Sequence, residues 1–199
     1  MVHKSDEPRR GRGRPRSFEP NEVLKAASER FRTHGYAGTS LDDLVDATGL
    51  ARPSLYAAFG DKRAIYLATL DRTIERSGKG FDNLIAADLP LRASLDQLFR
   101  VIIDGYMTGE TGPSGCIMVS TSSTSAVDDE EVRARLAAFL KLEDDKIEQL
   151  LIARGDPDAR VHARLASAVI HSLSVRARAG ASRAELDAMA TEFVEMIAG

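Results

Sequence analysis

The sequence predicts an all-α protein, an N-terminal helix-turn-helix three-helix domain followed by a larger helical domain. Three observations carry that reading. Helix-start and helix-stop residues recur down the chain, apolar residues between them follow three-and-four spacing, and no strand-like alternation bounded by hairpin turns occurs. No self-similarity of solenoid length is present.

Residues 1–16 read as a disordered basic arm, with Pro8, Gly11, Gly13 and Pro15 interrupting the arginines. Phe18-Glu19-Pro20 then opens the first helix, because proline fits a first turn whose N–H groups lack partners anyway. Phe18 and Val23 stand at staple spacing, Val23, Ala27 and Phe31 form one stripe, and Gly35 stops the helix. Ser40 with Asp43 resembles a capping box ahead of a short helix from Leu41 to about Ala47. That helix ends at Gly49. A second short helix runs from Arg52 to about Ala58, ended by Gly60. Asp61 caps a helix from Lys62 to about Arg76, with Gly78 and Gly80 expected to close it.

The second half repeats the pattern. Leu91 to about Met107 reads as a helix. Asp128 with Glu131 opens a long one that stops at Gly155, and Asp156-Pro157 starts the next, which stops at Gly180. Ser182 with Glu185 caps the last, where Leu186, Met189, Ala190, Phe193 and Ile197 make a stripe. The run Ser120–Ser125 has poor helix propensity, since short hydroxyl side chains compete for backbone hydrogen bonds. A loop and a helix held by packing both stand for it.

Composition narrows the class. At 199 residues with 43% hydrophobic and 29% charged residues, the chain reads as globular and long enough to bury a real core. A single cysteine, Cys116, excludes an intrachain disulfide and favours an intracellular, cytoplasmic home. The polar, arginine-rich start does not read as a secretory signal, and no apolar run approaches a membrane span. The net charge of -3 hides an asymmetry: residues 1–63 hold 12 bases and 9 acids, the remainder 15 bases and 21 acids. A basic front on an acidic body suits an anionic partner, and a solvated basic tail with no partner suits the same numbers.

Residues 41–59 supply a helix, a break at Gly49 and a second short helix, the plan in which the second helix enters the DNA major groove. That spacing alone also fits an ordinary helical corner. The residues say more. Gly35-Tyr36-Ala37-Gly38-Thr39-Ser40, then Gly49-Leu50-Ala51-Arg52-Pro53-Ser54-Leu55-Tyr56, then Phe59-Gly60-Asp61-Lys62 closely resembles the TetR family of bacterial repressors, in detail over residues 17–70 and beyond that in helix order alone. The resemblance implies domains at 17–63 (DNA binding) and 64–199 (effector binding and dimerisation). It implies a homodimer through the last two helices, a double-stranded DNA operator, and a small-molecule effector that releases a repressor from a palindrome.

The residues fit those roles. Thr39 and Ser40 precede a helix N-terminus, a natural phosphate site. Arg52 is the one long cation of the second helix, able to take guanine in a bidentate fork. Pro53 and Ser54 match family positions against base edges, and Tyr56 and Lys62 match family phosphate contacts. Ala57 and Ala58 depart from the family's larger groups, and Asp42 and Asp43 would repel phosphate if they point outward. Arg12, Arg14 and Arg16 suit an arm that tracks the backbone or enters the minor groove, and equally suit nonspecific charge. Leu44, Val45, Leu50, Leu55 and Phe59 are expected as core.

Tyr66, Phe81, Tyr106, Met107, Cys116, Met118 and Phe139 are the candidate lining of an effector pocket, though the ordinary place for such side chains is plain core. The effector is expected to be apolar or aromatic. Cys116 follows Gly112-Pro113-Ser114-Gly115, a loop able to set it at a helix N-terminus. In one branch of the family a cysteine here senses electrophiles or oxidants, which makes a Cys116 switch the alternative control. His162 and His171 lack a second ligand at zinc spacing, so neither metal nor cofactor is expected. An enzyme using Cys116 with either histidine is a competing class, though no phosphate-binding glycine loop or Gly-x-Ser-x-Gly elbow supports it. An architectural DNA-binding protein without effector control is another.

Overall fold

The computed structural model describes residues 18–199, in which helices α1 (Pro20–His34), α2 (Leu41–Thr48), α3 (Arg52–Phe59), α4 (Lys62–Ala86) and α5 (Leu91–Tyr106) are followed by a π-helical segment, Met118–Ser122, running into the short α6 (Ser123–Ser125). Then come α7 (Glu130–Ala153), α8 (Ala159–Arg178) and α9 (Arg183–Ala198). No strand occurs among the described residues, so the fold is all-α as expected. The arm residues Arg12, Arg14 and Arg16 lie outside the described residues.

Local chemistry sets most helix ends. Ser40 and Asp43 form a reciprocal capping box, as do Ser182 and Glu185. Gly49 holds φ at 66°, the left-handed turn that lets α2 stop and α3 begin at once. Three ends differ from the sequence reading. The cap of α7 is Asp129, not Asp128; its carboxylate accepts from the N–H groups of Glu131 and Val132. α8 begins at Ala159 rather than Pro157, because the Asp156 carboxylate turns back to accept from the Asp158 N–H.

The largest difference is α4, which continues ten residues past Arg76, straight through Gly78 and Gly80. A glycine costs a helix about 1 kcal/mol relative to alanine. Phe81 and Leu84 lie beyond both glycines and are 6% and 7% exposed. Burying two such side chains stabilises by roughly 1.5–3 kcal/mol each, so burial outweighs propensity. The hydroxyl-rich stretch resolves as helix for the same reason. Met118 and Ser122 are fully buried, and Thr121, Ser122 and Ser123 each return their hydroxyl to the carbonyl four residues back.

Two cores result. One joins Val23, Ala27, Phe31, Leu44 and Leu55 to Ile65, Tyr66 and Leu70 of α4, and onward to Met118, Val132 and Phe139. The other packs the far half of α4 with α5, α7, α8 and α9. α4 belongs to both, so the expected division at residues 63 and 64 falls inside its first turn.

Candidate nucleic-acid interface and inner cavity

Leu44 and Leu55 are fully buried and pin α2 and α3 together. Around them Arg52, Pro53, Ser54, Tyr56 and Ala57 stand exposed on one side of α3. The Arg52 guanidinium is held by the Asp42 carboxylate, one helix to the other. Asp43 is engaged differently: it accepts from the Ser40 N–H at 2.8 Å and Oγ at 2.6 Å, and lies 3.4 Å from Arg30. Those Ser40 hydrogen bonds hold its carboxyl below the usual carboxylate range. Both acids that would repel phosphate are therefore engaged, Asp42 by the residue beside it.

Three sequence-predicted contacts sit otherwise than expected. Thr39 is 1% exposed and its hydroxyl donates to the Gly35 carbonyl at 2.8 Å, so that hydroxyl faces inward. Ser40 is exposed, but its hydroxyl closes the capping box. What α2 offers an anion is its backbone, since the Leu41 and Asp42 N–H groups carry no partner among the described residues. Lys62 donates to the carbonyls of Tyr36 and Thr39, both at 2.9 Å, and lies 4.3 Å from the centre of the Tyr36 ring. It ties the loop between α1 and α2 to the start of α4, leaving one ammonium proton for an outside oxygen.

The head is joined to the body by three arginines whose role the sequence did not announce. Arg32 donates to the Gly105 carbonyl at 2.9 Å and the Gly115 carbonyl at 3.3 Å, and pairs with Glu29 at 2.5 Å. Arg30 pairs with Glu110 at 2.8 Å. Arg178, last in α8, donates to the Arg32 carbonyl at 2.6 Å and the Thr33 carbonyl at 3.3 Å. Those carbonyls end α1, where unpaired acceptors and the helix dipole favour a cation. Apart from Glu29, these partners lie more than 70 residues away in sequence, so no local pattern could reveal them.

A cavity of about 500 Å³ opens between α1, α4 and α5, reaching down to α7. Of the candidate pocket residues, Phe81, Tyr106, Cys116 and Phe139 line it. Tyr66, Met107 and Met118 do not. Tyr66 meets Phe31 edge-to-face and Tyr36 at a tilt, 4.9 Å from each ring, in the head core, Met118 is fully buried there, and Met107 packs into the second core. The cavity is also less apolar than expected. Lys25, Glu29, Arg32, Arg72, Arg76 and Glu143 also line it, with Lys25 and Arg76 exposed and Glu143 buried.

Cys116 sits at the start of the helical turn that enters the π segment, as the loop sequence suggested. Its N–H donates to Ser174 Oγ at 2.9 Å. Burial pushes its thiol pKa up, outweighing the helix-start N–H groups that favour thiolate. Glu143 is 3% exposed and lies 2.7 Å from His171 Nε2, which raises the imidazole pKa. His162 meets Asp156 at 2.8 Å. Each histidine is thus paired with an acid, not with Cys116.

The outer faces of α8 and α9 carry exposed apolar side chains. Val161, Leu165 and Val175 are 58%, 43% and 56% exposed, and Met196 on α9 is 64% exposed. The stripe read on α9 (Leu186, Ala190, Phe193) is buried in its own subunit instead. No helix among the described residues is long and apolar enough to cross a membrane.

Residues 23–69 match the family model described as bacterial regulatory proteins, tetR family. The chain is 32% identical over 186 residues to the HTH-type transcriptional repressor ComR of Escherichia coli (strain K12), covering 89% of this chain and 88% of that protein. It is 26% identical over 185 residues to the repressor BdcR of the same organism, covering 93% and 92%. Among solved structures, a cysteine mutant of the TetR family transcriptional regulator CifR, complexed with 26bp double-strand operator DNA, superposes with a TM-score of 0.75. It is 26% identical and covers 92% of this chain and 98% of that one.

Proposed function

The chain belongs to the tetR family of bacterial regulatory proteins, and from that premise we propose that it is a sequence-specific, homodimeric, cytoplasmic transcriptional repressor, without catalytic activity of its own, released from a palindromic operator by a small molecule. One observation carries the DNA reading: α3 buries Leu55 and presents Arg52, Pro53, Ser54 and Tyr56 outward together. Arg52 reads a base edge, Tyr56 and the free N–H groups opening α2 take phosphates, and the remaining proton of Lys62 adds another contact. The exposed apolar face of α8 and Met196 of α9 supply the dimer contact. Two reading heads about 34–36 Å apart then meet successive major grooves. Selection from random duplexes tests this. A palindromic sequence is expected, and equal binding to all duplexes would overturn it.

Release works through α4, which carries Lys62 at one end and cavity residues at the other. A ligand lowers operator affinity only to the extent that it binds the DNA-incompetent arrangement better. A second reading rests on Cys116, which lines the same cavity at a helix start. Its raised pKa keeps it a thiol, so oxidation is expected to be slow. Oxidant-driven DNA release that Cys116→Ser abolishes would install the thiol switch in place of the ligand.

A further inference from the structure

We propose that the cavity takes an amphipathic organic acid, its apolar body inside and its carboxylate at Arg72 and Arg76; this rests on the effector reading above and names the effector's chemical class. Arg72 and Arg76 stand one turn apart on α4 and both line the cavity. Like charges at this spacing oppose helix formation. The acids beside them on α4 are already engaged, Asp71 by Arg135 at 2.8 Å and Glu75 by Lys79 at 2.5 Å. Neither Arg72 nor Arg76 forms an ion pair among the described residues, and Lys25 of α1, itself 3.8 Å from Glu22, also lines the cavity.

The other charges are balanced inside the protein. Arg32 pairs with Glu29, and the buried Glu143 pairs with His171. An anionic head is thus drawn to Arg72 and Arg76, the lining cations that form no ion pair among the described residues. A cationic head finds the Glu143 carboxylate already compensated. The apolar walls are Phe81, Leu84, Leu98, Ile102 and Phe139, which bury an alkyl or aryl body. A volume of about 500 Å³ is in the range of pockets that hold small organic ligands.

The test uses the full-length dimer and three probes of one chain length: decanoate, decanol and decylamine, with 4-phenylbutyrate added to separate alkyl from aryl bodies. Calorimetric titration is expected to show decanoate binding about tenfold or more tighter than decanol, as charge-assisted contacts warrant. Decylamine is expected to bind weakest. In the double variant Arg72→Gln, Arg76→Gln that acid preference should vanish while decanol affinity stays. Both side chains reach solvent, so folding should survive; Arg76→Gln alone, with partial loss, serves if it does not. Equal or tighter binding of decanol or decylamine, failure of all four probes to bind, or a preference unchanged in the variants would overturn the proposal. Operator binding by ligand-free protein is measured alongside. Its absence would sink the regulator reading while leaving the acid preference to stand or fall by itself.

Discussion

Arg63 meets Asp129 through two parallel hydrogen bonds, Nε to Oδ2 at 2.7 Å and Nη2 to Oδ1 at 2.9 Å. The pair joins the first turn of α4 to the cap of α7, and so locks the DNA-facing end of α4 to the body. The Arg63 guanidinium holds the Asp129 carboxyl down at about 2. A carboxylate with a depressed pKa stabilises fully above its ordinary value and loses that contribution as pH falls toward the folded one. Thermal melts between about pH 5 and about pH 2 are therefore expected to fall more steeply for the wild type than for Asp129→Asn. Asparagine keeps the helix cap through its one amide oxygen and removes the charge together with the acceptor for Arg63 Nε. Parallel curves would show that the fork adds no pH-linked stability.

The opposite sign applies to His171. Glu143 raises its pKa, so its contribution is complete below about 6.5 and is lost as pH rises through the higher folded value. Chemical denaturation of the wild type is expected to show stability declining above neutrality, and His171→Gln should flatten that decline. A variant with the same slope as wild type would place the titration elsewhere.

Lys62 separates stability from DNA affinity. It holds two carbonyls of the α1–α2 connection, and hydrogen bonds to a charged donor contribute about 1.5–3 kcal/mol. Lys62→Ala is expected to destabilise the protein on the order of 2 kcal/mol in a denaturant titration, in addition to weakening binding to every duplex. Arg52→Ala should leave stability nearly unchanged, because both it and Asp42 are exposed. It should cost roughly 1–3 kcal/mol of binding and relax one base position per half-site. If both variants melt together, Lys62 is only a DNA contact.

Leu165→Glu tests the dimer face. Leu165 is 43% exposed and flanked on the same side of α8 by Val161. The substitution is expected to leave the subunit's helicity intact while shifting the protein to monomer in size-exclusion chromatography. Specific operator affinity should drop sharply, since two linked half-sites no longer reinforce each other. A variant that remains dimeric would move the interface to another surface.

Features that depend on near neighbours along the chain are legible in the sequence by itself. The capping boxes at Ser40–Asp43 and Ser182–Glu185, the stop at Gly49 and the Val23–Ala27–Phe31 stripe each involve residues within one or two helical turns, so residue type and spacing determine them. Tertiary packing decided the rest. It carried α4 through Gly78 and Gly80, because Phe81 and Leu84 gain more from burial than the glycines lose. It turned Thr39 inward and gave Lys62 two carbonyls of a loop 23 and 26 residues away. It placed Tyr66 and Met118 in the head core rather than on the cavity wall, and brought Arg72 and Arg76 to that wall. Periodicity says which residues share a face, but not which element that face meets. Whether an aromatic side chain fills a core or walls a cavity therefore depends on how closely the facing helix packs, a property set by the assembled body.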